Sequence, residues 1–158
     1  MRIIGLLGGV ASGKSVVAQE LAQLGACILD ADHAGHQVLQ TPHIQEAIRS
    51  RWGQEVFGPD GQVDRARLAQ RVFANSVQAA QDRRYLEEIT HPEIGQLLRS
   101  QAQTLAETGC PAAVLDAPLL LEVGWDRWCD KLVFVEAPRG VWQARGLVRG
   151  WLVWEICG

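Results

Sequence analysis

Lysine is nearly missing from this chain of 158 residues, with only Lys14 and Lys131. Arginine supplies the remaining positive charge, which suits bidentate phosphate contacts or simply reflects a GC-rich genome, and the formal net charge is −3. That balance leaves no general basic field, so nucleic acid is not an expected partner. The four cysteines, Cys27, Cys110, Cys129 and Cys157, are scattered and contain no C-x-x-C pair, so no zinc site is expected. They read as reduced thiols of a cytoplasmic protein. No apolar run approaches the roughly eighteen residues of a membrane span, and no basic-then-apolar leader opens the chain. A membrane partner is therefore not expected. The guanine-recognition pattern N-K-x-D is also missing, which argues against a regulatory GTPase. There are no internal repeats or low-complexity segments. The length suits one domain with a real core, taken as a monomer by default.

Against these absences stands one dense motif. Arg2 to Leu7 is a short apolar run, and it leads directly into Gly8-Gly9-Val10-Ala11-Ser12-Gly13-Lys14-Ser15. This fits G-x-x-x-x-G-K-[ST] at every fixed position, the phosphate-binding loop of nucleoside triphosphatases and kinases. Average residue usage would place those four fixed positions together in about half a per cent of chains this long. Gly8 and Gly13 permit backbone conformations closed to residues with a Cβ. Backbone N–H groups from Gly9 to Ser15 can then converge on phosphate oxygens, reinforced by the N-terminal end of the following helix. Lys14 would reach the β- and γ-phosphates of ATP, and the Ser15 hydroxyl would coordinate Mg²⁺. Val16 stands where many such loops carry a second hydroxyl, so its contact would rest on backbone N–H alone. The bland alternative is a glycine-rich strand-to-helix turn, but a turn requires neither Lys14 nor Ser15.

The remaining pattern predicts an α/β fold with a parallel sheet flanked by helices. Strands are expected at 2–7, 26–31, 112–116 and 131–136, the second of them buried on both faces. A helix over 15–24 ends at Gly25. Helices follow from 32 to 39, from the Thr41-Pro42 cap signal to 51, from the Asp64 cap to about 73, over 76–90, and from Pro92 to about 108. A last helix is expected over 138–149. The predicted organisation is one P-loop kinase domain, with its core at about 1–31 and 111–137. A helical insert occupies about 32–110, a further helical segment about 138–150, and an atypical tail 151–158.

Ligands of open parallel sheets bind beyond the carboxyl ends of the strands. Strand two ends in Asp30-Ala31-Asp32 and strand three in Asp116. Asp32 is the candidate general base for an attacking hydroxyl, with the helix N-cap as its structural alternative. Asp30 is a candidate for positioning Mg²⁺ or a water. Asp116 is placed as a Walker B acid would be, to hold Mg²⁺ directly or through water. Its alternative is to start the turn before Pro118.

Several segments together resemble the dephospho-coenzyme A kinase family. In chain order they are IIGLLGGVASGKS, LDADHAGHQVL, GQVDRARLAQRVF, ITHPEIGQLL, AVLDAPLLLEVGW and KLVFVEAPRGVWQARGLVRG, covering roughly the first 150 residues. The resemblance implies ATP-dependent phosphorylation of the ribose 3′-hydroxyl of dephospho-coenzyme A, the last step of coenzyme A synthesis. It implies Asp32 as the base and the helical insert as the coenzyme A-binding domain. Arg145 and Arg149 match the lid that approaches the ATP phosphates. His91, in H-P-E-I, falls near the substrate domain, with capping or packing as its alternative. Arg65 would contact a substrate phosphate or pair with a nearby acid. His33 and His36 share a helix face, but two histidines do not make a metal site. Glu122 and Trp125 are expected to be structural.

One departure concerns the end of the chain. Family members continue past the lid with a helix, an edge strand and a final helix. Here Trp151 to Gly158 is an apolar stretch resembling a truncation or an out-of-frame read-through, which would leave a sheet edge exposed. Two other functions remain open at this stage. One is another P-loop small-molecule kinase, such as a nucleoside monophosphate kinase. The other is an ATP-binding but catalytically impaired fragment.

Overall fold

A computed structural model describes residues 1–9 and 12–136. The chain divides into two units, one made of Met1–Ala31 with the chain from Ser100 onward, the other of Asp32–Arg99.

The first unit is a four-stranded parallel sheet in the order β2-β3-β1-β4. Its strands are β1 (Arg2–Leu7), β2 (Cys27–Asp30), β3 (Ala112–Asp116) and β4 (Lys131–Phe134). Helix α1 (Lys14–Gln23) lays Ala18, Val17 and Leu21 against Leu6 and Val114, both fully buried. The helix closes where the Ala26 N–H reaches back to Leu21 O (3.0 Å), just past Gly25. The expectation that β2 is buried on both faces does not hold. Among the described residues β2 has only β3 beside it, and Ile28 is exposed while Leu29 is buried. At the other edge, Leu132, Val133 and Phe134 of β4 are exposed. The final helix expected over 138–149 lies outside the described residues.

The second unit is helical and has its own core. Helix α2 (Ala31–Val38) is followed by α3 (Pro42–Trp52), α4 (Arg65–Val72) and α5 (Val77–Glu107). Ile44, Ile48, Trp52, Val56, Phe57, Leu68 and Val72 form the core, with Ile89, Ile94 and Leu97 of α5 packed against it. Asp64 caps α4 through hydrogen bonds from Ala66 N (3.0 Å) and Arg67 N (3.1 Å). At α3 the proline takes the first position as expected, but the Thr41 hydroxyl does not cap. It donates instead to Val38 O (2.7 Å), closing the preceding helix. Inside the core, Asp82 accepts from Arg51 Nε (3.2 Å), Arg51 Nη2 (3.0 Å) and Gln78 Nε2 (3.2 Å). Burial alone would raise its pKa, but those bonds and the guanidinium charge hold it below its ordinary value.

The two helices expected on either side of Pro92 are one helix of 31 residues. A proline removes one N–H from the ladder and normally breaks it. Here packing on both sides, by Ile89 before it and Ile94 and Leu97 after it, holds both halves in place. The chain re-enters the sheet unit at Ser100, still inside α5. No helix among the described residues is long and apolar enough to cross a membrane.

The cysteine expectation is also corrected. Cys27 and Cys110 form a disulfide, with Cα atoms 6.5 Å apart. Cys27 opens β2, where it registers with Ala113, and Cys110 lies two residues before the start of β3, so the pairing of the two strands brings the sulfurs together. The bond closes a loop of sequence separation 83 that contains the whole helical unit. Closing a loop of that size removes denatured-state entropy worth about 2–5 kcal/mol. Cys27→Ser should therefore lower the Tm by about 10 °C, and reductant should lower the parent to the same value. Equal Tm values for oxidised parent and variant in a calorimetric scan would contradict this.

Candidate active site

The phosphate loop leaves β1 at its carboxyl end. Gly8 has φ +150°, and a Cβ there would collide with the Val135 carbonyl and lie 2.7 Å from Ser12 Oγ. The collision arises because the chain just after β4 runs alongside, with Val135 N bonded to Leu7 O (2.7 Å). Gly13, at φ +103°, is the left-handed residue from which α1 starts. The Gly13 carbonyl accepts from the N–H groups of Val16 (3.0 Å) and Val17 (3.1 Å), the first bonds of that helix. Val10 and Ala11 lie outside the described residues. Ser15 and Val16, in the first turn, are exposed.

Two polar groups in the loop are set for a ligand. Ser12 is buried, and its hydroxyl has no hydrogen-bond partner among the described residues. A buried orphan hydroxyl costs free energy unless something binds it. Lys14 folds back over the loop, donating from Nζ to Gly8 O (2.6 Å) and Gly9 O (3.0 Å). Its pKa is lowered by burial, and the Asp116 carboxylate opposes that shift. Lys14 and Asp116 are therefore electrostatic neighbours.

The strand register explains why. Leu6 of β1 lies beside Asp116 of β3, and Asp116 lies beside Asp30 of β2. Three parallel strands thus end at one level, with the phosphate loop and two carboxylates at one edge. Mg²⁺ characteristically takes one or two carboxylates and keeps the remaining positions for water and phosphate. A donor set of the Ser15 hydroxyl and the Asp116 carboxylate beside a phosphate loop fits that chemistry. Among the described residues there is no cluster of three or more His, Cys, Asp or Glu side chains able to hold a metal by themselves.

The other sequence-derived candidates belong to the helical unit. Asp32 is its first residue. Because α2 begins at Ala31, Asp32 lies inside the first turn and is not the N-cap. Its side chain is 68% exposed. Arg65 is the exposed first residue of α4. His91 lies within α5, partly buried, its pKa lowered by burial against the raising influence of Glu87 one turn earlier. Arg145 and Arg149 lie outside the described residues. Trp125 is buried and stacked on Trp128 with ring centroids 5.5 Å apart, while Glu122 is exposed. His33 and His36 do not act as a pair: His33 meets Gln37 Nε2 at 3.2 Å, and His36 meets Asp32 at 3.5 Å. That second contact was not foreseen, although the four-residue spacing signals it. Asp82 was likewise missed, since one acid in a polar helix carries no burial signal.

Comparison with known proteins gives a consistent result. A family model described as dephospho-CoA kinase matches residues 2–152. A dephospho-CoA kinase of Anaeromyxobacter dehalogenans is 44% identical over 147 residues, covering 92% of this chain and 67% of that protein. One of Dehalococcoides mccartyi is 37% identical over 139 residues, covering 88% and 68%. The chain thus spans about two thirds of the length of these relatives. A crystal structure from Thermus thermophilus superposes with TM-score 0.78 at 31% identity, covering 94% of this chain and 72% of that one. A dephospho-CoA kinase from Campylobacter jejuni, at 16% identity and TM-score 0.62, shares the fold.

The loop geometry predicts the effect of a methyl group at Gly8. Gly8→Ala should destabilise the chain by about 1–3 kcal/mol through backbone strain and also weaken binding of a nucleoside triphosphate. Gly61→Ala is the control: its φ is +75° but no atom lies within 4 Å of the added Cβ. It should carry strain alone and leave nucleotide affinity unchanged. Urea unfolding and nucleotide titration of both variants separate the two effects. Equal nucleotide affinity in both would contradict the close approach at Gly8.

Proposed function

The chain belongs to the dephospho-CoA kinase family, and on that basis we propose that it transfers the γ-phosphoryl group of ATP to the ribose 3′-hydroxyl of dephospho-coenzyme A, giving coenzyme A and ADP. The observation that carries the proposal is a phosphate-loop sequence that follows β1 at the carboxyl edge of a parallel sheet, in a chain matched by that family from residue 2 to 152.

In this reading the N–H groups of Gly9 to Ser15, with Val10 and Ala11 among them and the N–H of Val16 beyond, hold the phosphates of ATP. The buried Ser12 hydroxyl gains the partner it otherwise lacks. Lys14 exchanges the Gly8 and Gly9 carbonyls for phosphate oxygens, where its ammonium offsets charge developing on the transferred group. Ser15 and Asp116 would hold Mg²⁺, which when bound neutralises phosphate charge. Asp32 accepts the proton of the 3′-hydroxyl as its oxygen attacks the γ-phosphorus and the bond to ADP breaks. Arg65 and His91, on the helical unit, contact the acceptor substrate. Arg145 and Arg149 close over the phosphates and keep water from competing with the hydroxyl. The proposed location is the cytoplasm, where reducing conditions would oppose the Cys27–Cys110 bond.

The experiment is product formation with dephospho-coenzyme A, AMP and shikimate offered separately. Transfer is expected to dephospho-coenzyme A, and preference for either other acceptor would overturn the proposal. Asp32→Asn keeps the side-chain shape but not the basicity. It should leave ATP affinity nearly unchanged and cut turnover about 10²- to 10⁴-fold. Normal turnover in that variant would remove Asp32 from the role of base.

A further inference from the structure

We propose that His36 is a positioning residue for Asp32: its imidazole holds one carboxylate oxygen so that the other faces the acceptor hydroxyl. The proposal rests on the reading of Asp32 as general base.

The two residues are four apart on α2, so their side chains lie one above the other on the same face. His36 Nε2 is 3.5 Å from Asp32 Oδ2. That nitrogen is shielded from solvent and has no hydrogen-bond partner among the described residues. A buried ring nitrogen without a partner is costly, and the nearby carboxylate oxygen can satisfy it after a small side-chain rotation. Apo geometries of this kind are often long and tighten in the substrate complex. His33, the neighbouring imidazole, is engaged by Gln37 and does not compete.

The helix itself is held against rotation. Ala34 and Val38, on the opposite face of α2, are buried at 0% and 3% exposure. A Cβ at Gly35 would already stand 3.5 Å from Ile94 Cδ1, so α2 sits close against α5. The backbone beneath Asp32 is therefore fixed while its side chain, 68% exposed, is not. An exposed aspartate samples several rotamers, and a base must point at the proton it removes. With its proton on Nε2, His36 donates to Oδ2. The acceptor hydroxyl proton then passes to Oδ1, and His36 itself takes up no proton. As a partly exposed side-chain contact within one helix, it contributes little to stability. Its consequence is orientation.

The test combines kinetics with a spectroscopic signature on the full chain. His36→Ala should lower kcat about 10- to 100-fold, with ATP Kd and the KM for dephospho-coenzyme A nearly unchanged and the Tm within about 2 °C. His36→Gln, which retains a donor nitrogen, should recover kcat to within about threefold of the parent. In an Asp32→Asn background, His36→Ala should cause no further loss, because nothing remains to be positioned. In the parent background, the ¹⁵N signal of His36 Nε2 should shift when Asp32 becomes Asn. An unmoved signal overturns the pairing, whatever the activity of the variants. Full turnover in His36→Ala beside an impaired Asp32→Asn overturns the positioning role and leaves the base assignment standing. Full turnover in Asp32→Asn overturns the base assignment and the positioning role with it.

Discussion

The parallel register of β2, β3 and β1 is the constraint on which the rest of the sheet unit depends. Leu6, Asp116 and Asp30 sit side by side across three strands. The strands therefore end together, and whatever follows each of them is delivered to one edge. After β1 comes the phosphate loop, and β2 and β3 end in carboxylates. A one-residue slip of β3 would turn Asp116 to the other face of the sheet and separate it from Lys14. The same alignment brings Cys27 beside the start of β3, where Cys110 waits. One set of backbone hydrogen bonds thus places the phosphate loop and two carboxylates at one end of the strands and a covalent tie at the other.

The loop depends on that alignment in a second way. Val135 runs beside Gly8 closely enough that no side chain fits there. The buried Ser12 hydroxyl and the folded-back Lys14 leave the loop with polar groups whose best partners are phosphate oxygens. The family assignment and the local geometry therefore support one chemistry by independent routes.

The helical unit is organised differently. Its core is aliphatic and aromatic, and its one buried carboxylate, Asp82, is held by Arg51, whose guanidinium also lies 5.0 Å from the Tyr85 ring centroid. This internal packing lets α5 continue through Pro92 and keeps α2 from turning. A firm backbone carrying an exposed Asp32, with His36 3.5 Å away, is consistent with the base and positioning roles proposed for the two residues.

Much of this was legible in residue order, because the signals are local. The glycines, lysine and serine of the loop, the Asp64 cap and the alternation of strands and helices each arise within a few residues. The acids at strand ends were legible too, since in a parallel sheet the carboxyl end is the ligand end. Residue order could not reveal that β2 lies at an edge, because strand order is a property of the whole sheet. It pointed to a break at Pro92, and packing from both sides overrode the local preference. It pointed to free thiols at Cys27 and Cys110, which lie far apart along the chain and meet only through strand pairing. Local rules set the chemistry available at each position. Long-range packing set which of those groups stand within reach of one another, because a contact between distant residues costs chain entropy that only a cooperative core can offset.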